Sequence, residues 1–176
     1  MRIDGISAAF PSRIVTNDDI LEMIAKESEK SFQGNLETAL RRIRYLLHYS
    51  EIQCRRWSSP NEKPIRLLSE VISKAVAEGE CSLADIDLLI YTGVGGGFQE
   101  PGNSYMVAHA LGMKYAQCFD IRDACNSWSR ALQLVHHTFH MDPSIKRALI
   151  INAEFNMYAG GPGVPRLTPG LRRRRE

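Results

Sequence analysis

The feature that most constrains the fold is an alternation in the second half of the chain. Leu88 to Thr92 (LLIYT) and Arg147 to Asn152 (RALIIN) are short apolar runs of the kind that strands show when both faces are covered. Gln117 to Ile121 (QCFDI) is a further short strand between them. Helical patterns separate the three. Asn103 opens a helix that Gly112 closes, and Cys125 to Met141 carries Trp128, Ala131, Leu132, Val135 and Phe139 on one side before Pro143 breaks it. Strand, helix, strand, helix, strand in this order implies right-handed crossovers. The expected class is therefore α/β, a mainly parallel sheet with helices on both faces.

The first half reads less regularly. Ile3 to Phe10 is expected as a strand stopped by Pro11. Asn17-Asp18-Asp19 caps a helix that runs to about Glu29, with Ile20, Leu21, Ile24 and Ala25 on one face. Gly34-Asn35 punctuates, and a second amphipathic helix follows from Leu36 to about His48. Glu51 to Lys63 is polar and reads as an ordered loop. Leu67 to Glu78 is helical, keeping a 3.6-residue period through Leu68, Val71, Ile72, Ala75 and Val76, and Gly79 ends it.

The 176 residues are enough for one domain with a real core, taken as residues 1–160. Residues 161–176 differ: GPGVPRLTPGLRRRRE has no period and is expected to be disordered. The change is abrupt where an α/β pattern would continue, the mark of a truncated or frame-shifted end. Charge divides at the same place. The whole chain carries +2, but five arginines against Glu176 give the stretch from Pro162 a net +4, leaving −2 on the remainder. The basic balance belongs to the tail, so Arg172 to Arg175 is read as a solvated terminus and no nucleic-acid partner is expected. No apolar run reaches the ~18 residues of a membrane span. Four cysteines without a CxxC pair imply free thiols in a reducing compartment, and the cytoplasm is the expected location.

Among these thiols Cys125 stands out. It follows a strand and is expected in the first turn of the longest helix, where the N–H groups and helix dipole favour a thiolate and offer one arm of an oxyanion hole. Position alone leaves two readings open, a nucleophile and an inert buried thiol. No base is near in sequence: His136 and His137 lie about 16 Å farther along the same helix, and His48 and His109 are on other elements. The run Gly93 to Gly97 invites a dinucleotide site, but the third glycine that such a loop needs is Phe98. It reads instead as a turn where backbones approach closely. Histidines and cysteines are too scattered for a zinc site, and no metal is expected.

Five stretches carry a family resemblance: Ser50-Glu-Ile-Gln-Cys-Arg-Arg-Trp57 with Pro60-Asn-Glu62, Ala84-Asp-Ile-Asp-Leu-Leu-Ile-Tyr91, Pro101 to Gly112, Phe119-Asp-Ile-Arg-Asp-Ala-Cys-Asn-Ser-Trp128, and Ala148-Leu-Ile-Ile-Asn-Ala-Glu154. In order and spacing, across roughly Ile3 to Asn156, they resemble the N-terminal half of β-ketoacyl-acyl-carrier-protein synthase III, of the thiolase superfamily. The resemblance implies a thiolase-like half that lacks the second half of an αβαβα sandwich. It implies an acyltransferase in fatty-acid or polyketide biosynthesis, with Cys125 as the acyl-accepting nucleophile. Acyl-CoA or acyl carrier protein would be the substrate, with Tyr45 and Trp57 at the donor, and no cofactor would be bound permanently. The family's Trp and Arg that flank the adenine fall on Tyr45 and Tyr49, and Tyr49 brings no cation. The usual glycine two residues after the nucleophile is Ser127 here. The family is dimeric, with Gln117 to Ile121 near the twofold axis. Its catalytic His and Asn lie in the second half, so the resemblance also implies that condensation needs groups beyond these residues. Two other readings stand beside it: a non-catalytic remnant or interaction module, and a cysteine-dependent thioester hydrolase.

Overall fold

A computed structural model describes residues 1–93 and 100–154. They form two compact units, one from Met1–Phe10 with the described residues from Glu62 onward, the other from Pro11–Asn61. The tail expected to be disordered and most of the glycine run lie outside the described residues.

The larger unit is the expected α/β layer. It has five principal elements after α3 is counted apart. The smaller unit holds β1 (Arg13–Thr16), α1 (Asn17–Ser28), α2 (Leu36–Tyr49) and β2 (Cys54–Trp57); in the larger, helix α3 is Pro64–Glu78, followed by strand β3 Leu88–Thr92, helix α4 Asn103–Ala110, strand β4 Gln117–Ile121, helix α5 Ser127–Met141 and strand β5 Ala148–Asn152. The strands lie in the order β4-β3-β5, parallel throughout, with Leu88 opposite both Gln117 and Ala148. Side chains alternate across a strand, and two cores result. Leu89 and Tyr91 pack with Leu68, Ile72 and Val76 of α3 and with Val107 of α4. Leu88 and Ile90 pack with Ala131 and Val135 of α5. Every residue of β3 is buried, which is why it reads as an uninterrupted apolar run.

Carboxylates set the ends of these elements. Asp85 closes a capping box with Ser82, and the hydrogen bond from the Ser82 hydroxyl, then that from its backbone N–H, holds the Asp85 carboxyl below its usual range. Asp87 accepts from the backbone N–H groups of Lys146 (2.8 Å) and Arg147 (2.9 Å), while its own carbonyl accepts from Gln117 N (2.8 Å). One residue thus ties the starts of all three strands.

Ile3 to Phe10 is not a strand. Its apolar side chains face solvent, with Ile6 72 % exposed, and its backbone bonds to a side chain instead of a ladder: Ile6 N–H donates to Glu78 Oε2 at 2.9 Å. Gly5 lies so close to α3 that an added Cβ would stand 2.2 Å from the Ala75 carbonyl oxygen.

In the smaller unit, β1 (Arg13–Thr16) pairs antiparallel with β2 (Cys54–Trp57), Arg13 opposite Trp57. The stretch expected as a loop therefore contains a strand; its two arginines hide the pattern, because only Trp57 of the four residues is buried. Helix α1 (Asn17–Ser28) is capped one residue earlier than expected, by Thr16 in a capping box with Asp19. Helix α2 (Leu36–Tyr49) is capped by the Asn35 side chain, which accepts from Thr38 N. Val15, Ile20, Ile24 and Trp57 form the core, with Leu40, Ile43 and Leu47 of α2 packed against it. Among the described residues no helix is long and apolar enough to cross a membrane.

Candidate functional site

Cys125 sits between β4 and α5, in a one-turn 3-10 helix, Ala124–Asn126, that precedes α5. It is exposed. The sequence reading put it in the first turn of the α-helix itself. The difference arises at Ala124, which takes φ 45°, a left-handed conformation that costs a Cβ-bearing residue energy and turns the chain sharply.

Ser127 holds that turn. Its hydroxyl donates to the Ala124 carbonyl at 2.8 Å and accepts from Asp123 N–H at 2.8 Å, and the residue is only 3 % exposed. Asp123 adds a second brace, since its Oδ2 accepts from Asn126 Nδ2 and from Arg130 Nε, each at 3.2 Å. The residue that stands in place of a glycine is therefore a staple. Asn126 supplies no side-chain cap to α5. The Ser127 N–H donates to the Ala124 carbonyl, so the N–H groups that follow it in the first turn are the ones without a side-chain cap from Asn126.

The strand ends around this turn are also fixed. Asp120 caps α4 from the end of β4, accepting from Asn103 N (2.7 Å), Ser104 N (2.9 Å) and Asn103 Nδ2 (3.2 Å). Thr92 Oγ1 donates at the end of β3, with the Ile151 carbonyl at 3.0 Å and Asn152 Oδ1 at 3.2 Å. Gly93 follows at φ 152°, and an added Cβ would lie 2.5 Å from the Ala153 carbonyl oxygen, so only glycine fits there. The Tyr91 hydroxyl donates to the same carbonyl at 3.2 Å; burial, then Glu154 and Asp120, push its ionisation up to about 12.

The other thiols differ from Cys125. Cys118 is buried and its Sγ lies 3.3 Å from the Ala116 carbonyl; burial, then Asp120, raise its pKa above the ordinary thiol value. Cys81 is half-buried, its Sγ 3.7 Å from the Val76 carbonyl. Cys54 is exposed, on β2. His136, His137 and His140 are exposed on α5 beyond its midpoint, and His109 is on α4.

In the smaller unit, Tyr45 is 66 % exposed on α2 and stacks with Tyr49, ring centroids 6.4 Å apart at 21°. Trp57 is 5 % exposed, buried with Val15, Ile20 and Ile24, and the Arg13 guanidinium stands 5.8 Å from its ring centroid. An indole so covered has no open face for a flat ligand. The exposed aromatic pair is Tyr45 with Tyr49, not Tyr45 with Trp57. The resemblance names both tyrosines but not their stacking, although their four-residue spacing puts them on one helix face.

No protein-family model matches the chain. Among curated proteins, the chain is similar to the β-ketoacyl-[acyl-carrier-protein] synthase III of Caulobacter vibrioides, 25 % identical over 152 residues, which is 86 % of this chain and 42 % of that protein. The mycobacterial β-ketoacyl-[acyl-carrier-protein] synthase III of Mycobacterium ulcerans is 28 % identical over 128 residues, 73 % of this chain and 34 % of its own. Among solved structures, a variant of OleA from Xanthomonas campestris superposes with a TM-score of 0.72 at 19 % identity, covering 88 % of this chain and 43 % of that one. The chain thus spans less than half the length of these relatives. The expected resemblance holds in sequence, and the fold is thiolase-like.

Proposed function

We propose that this chain, whose sequence relatives are β-ketoacyl-acyl-carrier-protein synthases III and whose fold is thiolase-like, accepts an acyl group from a thioester onto Cys125. The Cys125 thiolate adds to the thioester carbonyl, first-turn N–H groups of α5 hold the oxyanion, and collapse expels the carrier's thiolate, leaving acyl-Cys125. The observation that carries this reading is the exposed thiol on a left-handed turn, stapled by Ser127 at an uncapped helix start. An inert structural cysteine needs none of these. Acyl-CoA or acyl carrier protein is the donor. Passing the acyl group to a malonyl-type carbanion would make the chain part of a 3-oxoacyl synthase in fatty-acid or polyketide biosynthesis. That step needs a base and further oxyanion donors. Homodimerisation along β4 is the assembly proposed, since β4 is an edge strand of the parallel sheet.

Intact-mass measurement after incubation with acyl-CoA, and separately with acyl carrier protein, tests the reading. The expected result is one acyl adduct that peptide mapping assigns to Cys125, lost in Cys125→Ser and kept in Cys54→Ser. An adduct on Cys54, or none with either donor, would sink it. Light scattering tests the dimer: a monomer at micromolar concentration contradicts it.

A further inference from the structure

We propose that His136 and His140 form a two-imidazole chelate for a borderline divalent cation of the Zn2+, Ni2+ or Cu2+ class, away from Cys125. Both rings are exposed near the end of α5. Residues four apart share a helix face, and here the ring centroids are 4.5 Å apart in an edge-to-face contact with 60° between the ring planes. Imidazole nitrogens bound at about 2.0–2.1 Å from one ion put their centroids roughly 4.5–5 Å apart. The spacing is that of a shared ligand, and rotation of these two exposed side chains out of the edge-to-face contact brings a nitrogen of each to one ion.

A second observation fixes which nitrogen is offered. His140 Nδ1 lies 2.8 Å from the His136 carbonyl oxygen. A carbonyl only accepts, so Nδ1 carries the proton, and Nε2 is the nitrogen whose lone pair a metal ion can take. Metal-bound histidines characteristically give their other N–H to a backbone carbonyl or carboxylate, which orients the ring and raises its basicity. His140 has this arrangement without any metal. His137 stands at a wider 6.0 Å from His136 and serves as the internal control.

Among the described residues no cluster of three or more His, Cys, Asp or Glu side chains gathers for a metal. The site is thus bidentate, with water completing the coordination, and imidazole ligation selects the class of ion. A closed four-ligand zinc site, excluded from the sequence, is a different structure. Along the helix axis the pair lies about 15–20 Å from the start of α5, so the bound ion takes no part in chemistry at Cys125.

The test is a titration of the full chain with Zn2+ alone, followed on the ring nitrogens by NMR, where the ligating nitrogen moves most. His136 and His140 should respond together, at lower Zn2+ than His137. In His136→Ala the Zn2+ needed to shift His140 should rise about tenfold or more, as when a ligand set is broken. His137→Ala should leave that concentration unchanged. A smaller rise in His136→Ala, or an equal rise in His137→Ala, overturns the chelate. All three positions are exposed, and an unchanged thermal midpoint without metal excludes misfolding as the cause.

Discussion

Strand β3 is buried over all of its residues, whereas α2, the longest helix of the smaller unit, has no buried residue. The larger unit covers its sheet on both faces, so β3 meets apolar neighbours on either side. The smaller unit rests on a two-stranded sheet and two helices, one of which buries no residue fully, an arrangement that is marginal on burial alone. It leans on its ends instead: the Thr16–Asp19 box, the Asn35 cap, and Asn17, which accepts from Arg55 at 2.6 Å and donates to the Ile52 carbonyl at 2.8 Å. Burial holds the first unit, and hydrogen-bonded boundaries contribute far more of what holds the second.

The sharpest way to break this contrast is to truncate matching leucines. Leu89→Ala, at a fully buried site, should cost about 3 kcal/mol in urea unfolding. Leu40→Ala, half-buried on α2, should cost about 1 kcal/mol. Equal losses would mean that α2 is as much core as β3. The next effect is alkaline. Tyr91 ionises only at about 12, against an ordinary 10.0, because burial opposes its phenolate. A folded pKa above the unfolded one gives stability that is complete below about pH 10 and is lost as the pH climbs toward 12. Ultraviolet titration should show one phenol lagging, and Tyr91→Phe should remove the lag.

Ser127→Ala should cost about 1 kcal/mol by removing the hydroxyl that pairs the half-buried Asp123 N–H, and acylation of Cys125 should slow. Normal acylation kinetics would show that the turn holds without its staple. Thr16→Ala should cost about 1 kcal/mol through the lost cap, read as faster amide exchange confined to the start of α1. Acid gives the smallest effect. The Thr16 hydroxyl, then its backbone N–H, hold the Asp19 carboxyl below the usual range. A folded pKa below the unfolded one gives stability that is present above about pH 4 and fades as the pH falls through the lower value. Amide protection at the start of α1 should fall over that interval, and Asp19→Asn should flatten the dependence.

What was legible in the sequence follows the same division. LLIYT and RALIIN announce themselves because double-sided burial writes a strand as an apolar run. Cys54 to Trp57 does not, since one buried indole beside two arginines resembles a loop. Ile3 to Phe10 errs in the opposite direction, with strand-like residues whose apolar groups face water. Cys125 was legible from its place after β4. The turn that presents it was not, because nothing in an alanine signals φ 45°, and the hydroxyl of Ser127 acquires its role only once that turn exists. Trp57 was legible as an aromatic but not as a buried one, and its burial moves the exposed ring pair to Tyr45 and Tyr49.

The position of β3 at the centre of its sheet also sets a schedule for synthesis. Both of its partners are made after it. At ribosomal rates of about 5–20 residues per second, β5 is translated roughly 3–12 s after β3. At the start of that interval the most buried of the described strands has bare hydrogen-bonding edges, and of the helices that pack on it only α3 is already translated. Released chains that end just before β4 should therefore bind a hydrophobic-segment chaperone through LLIYT, and chains extended past β5 should not. Persistent binding after β5 would show that sheet closure is not what ends the exposure.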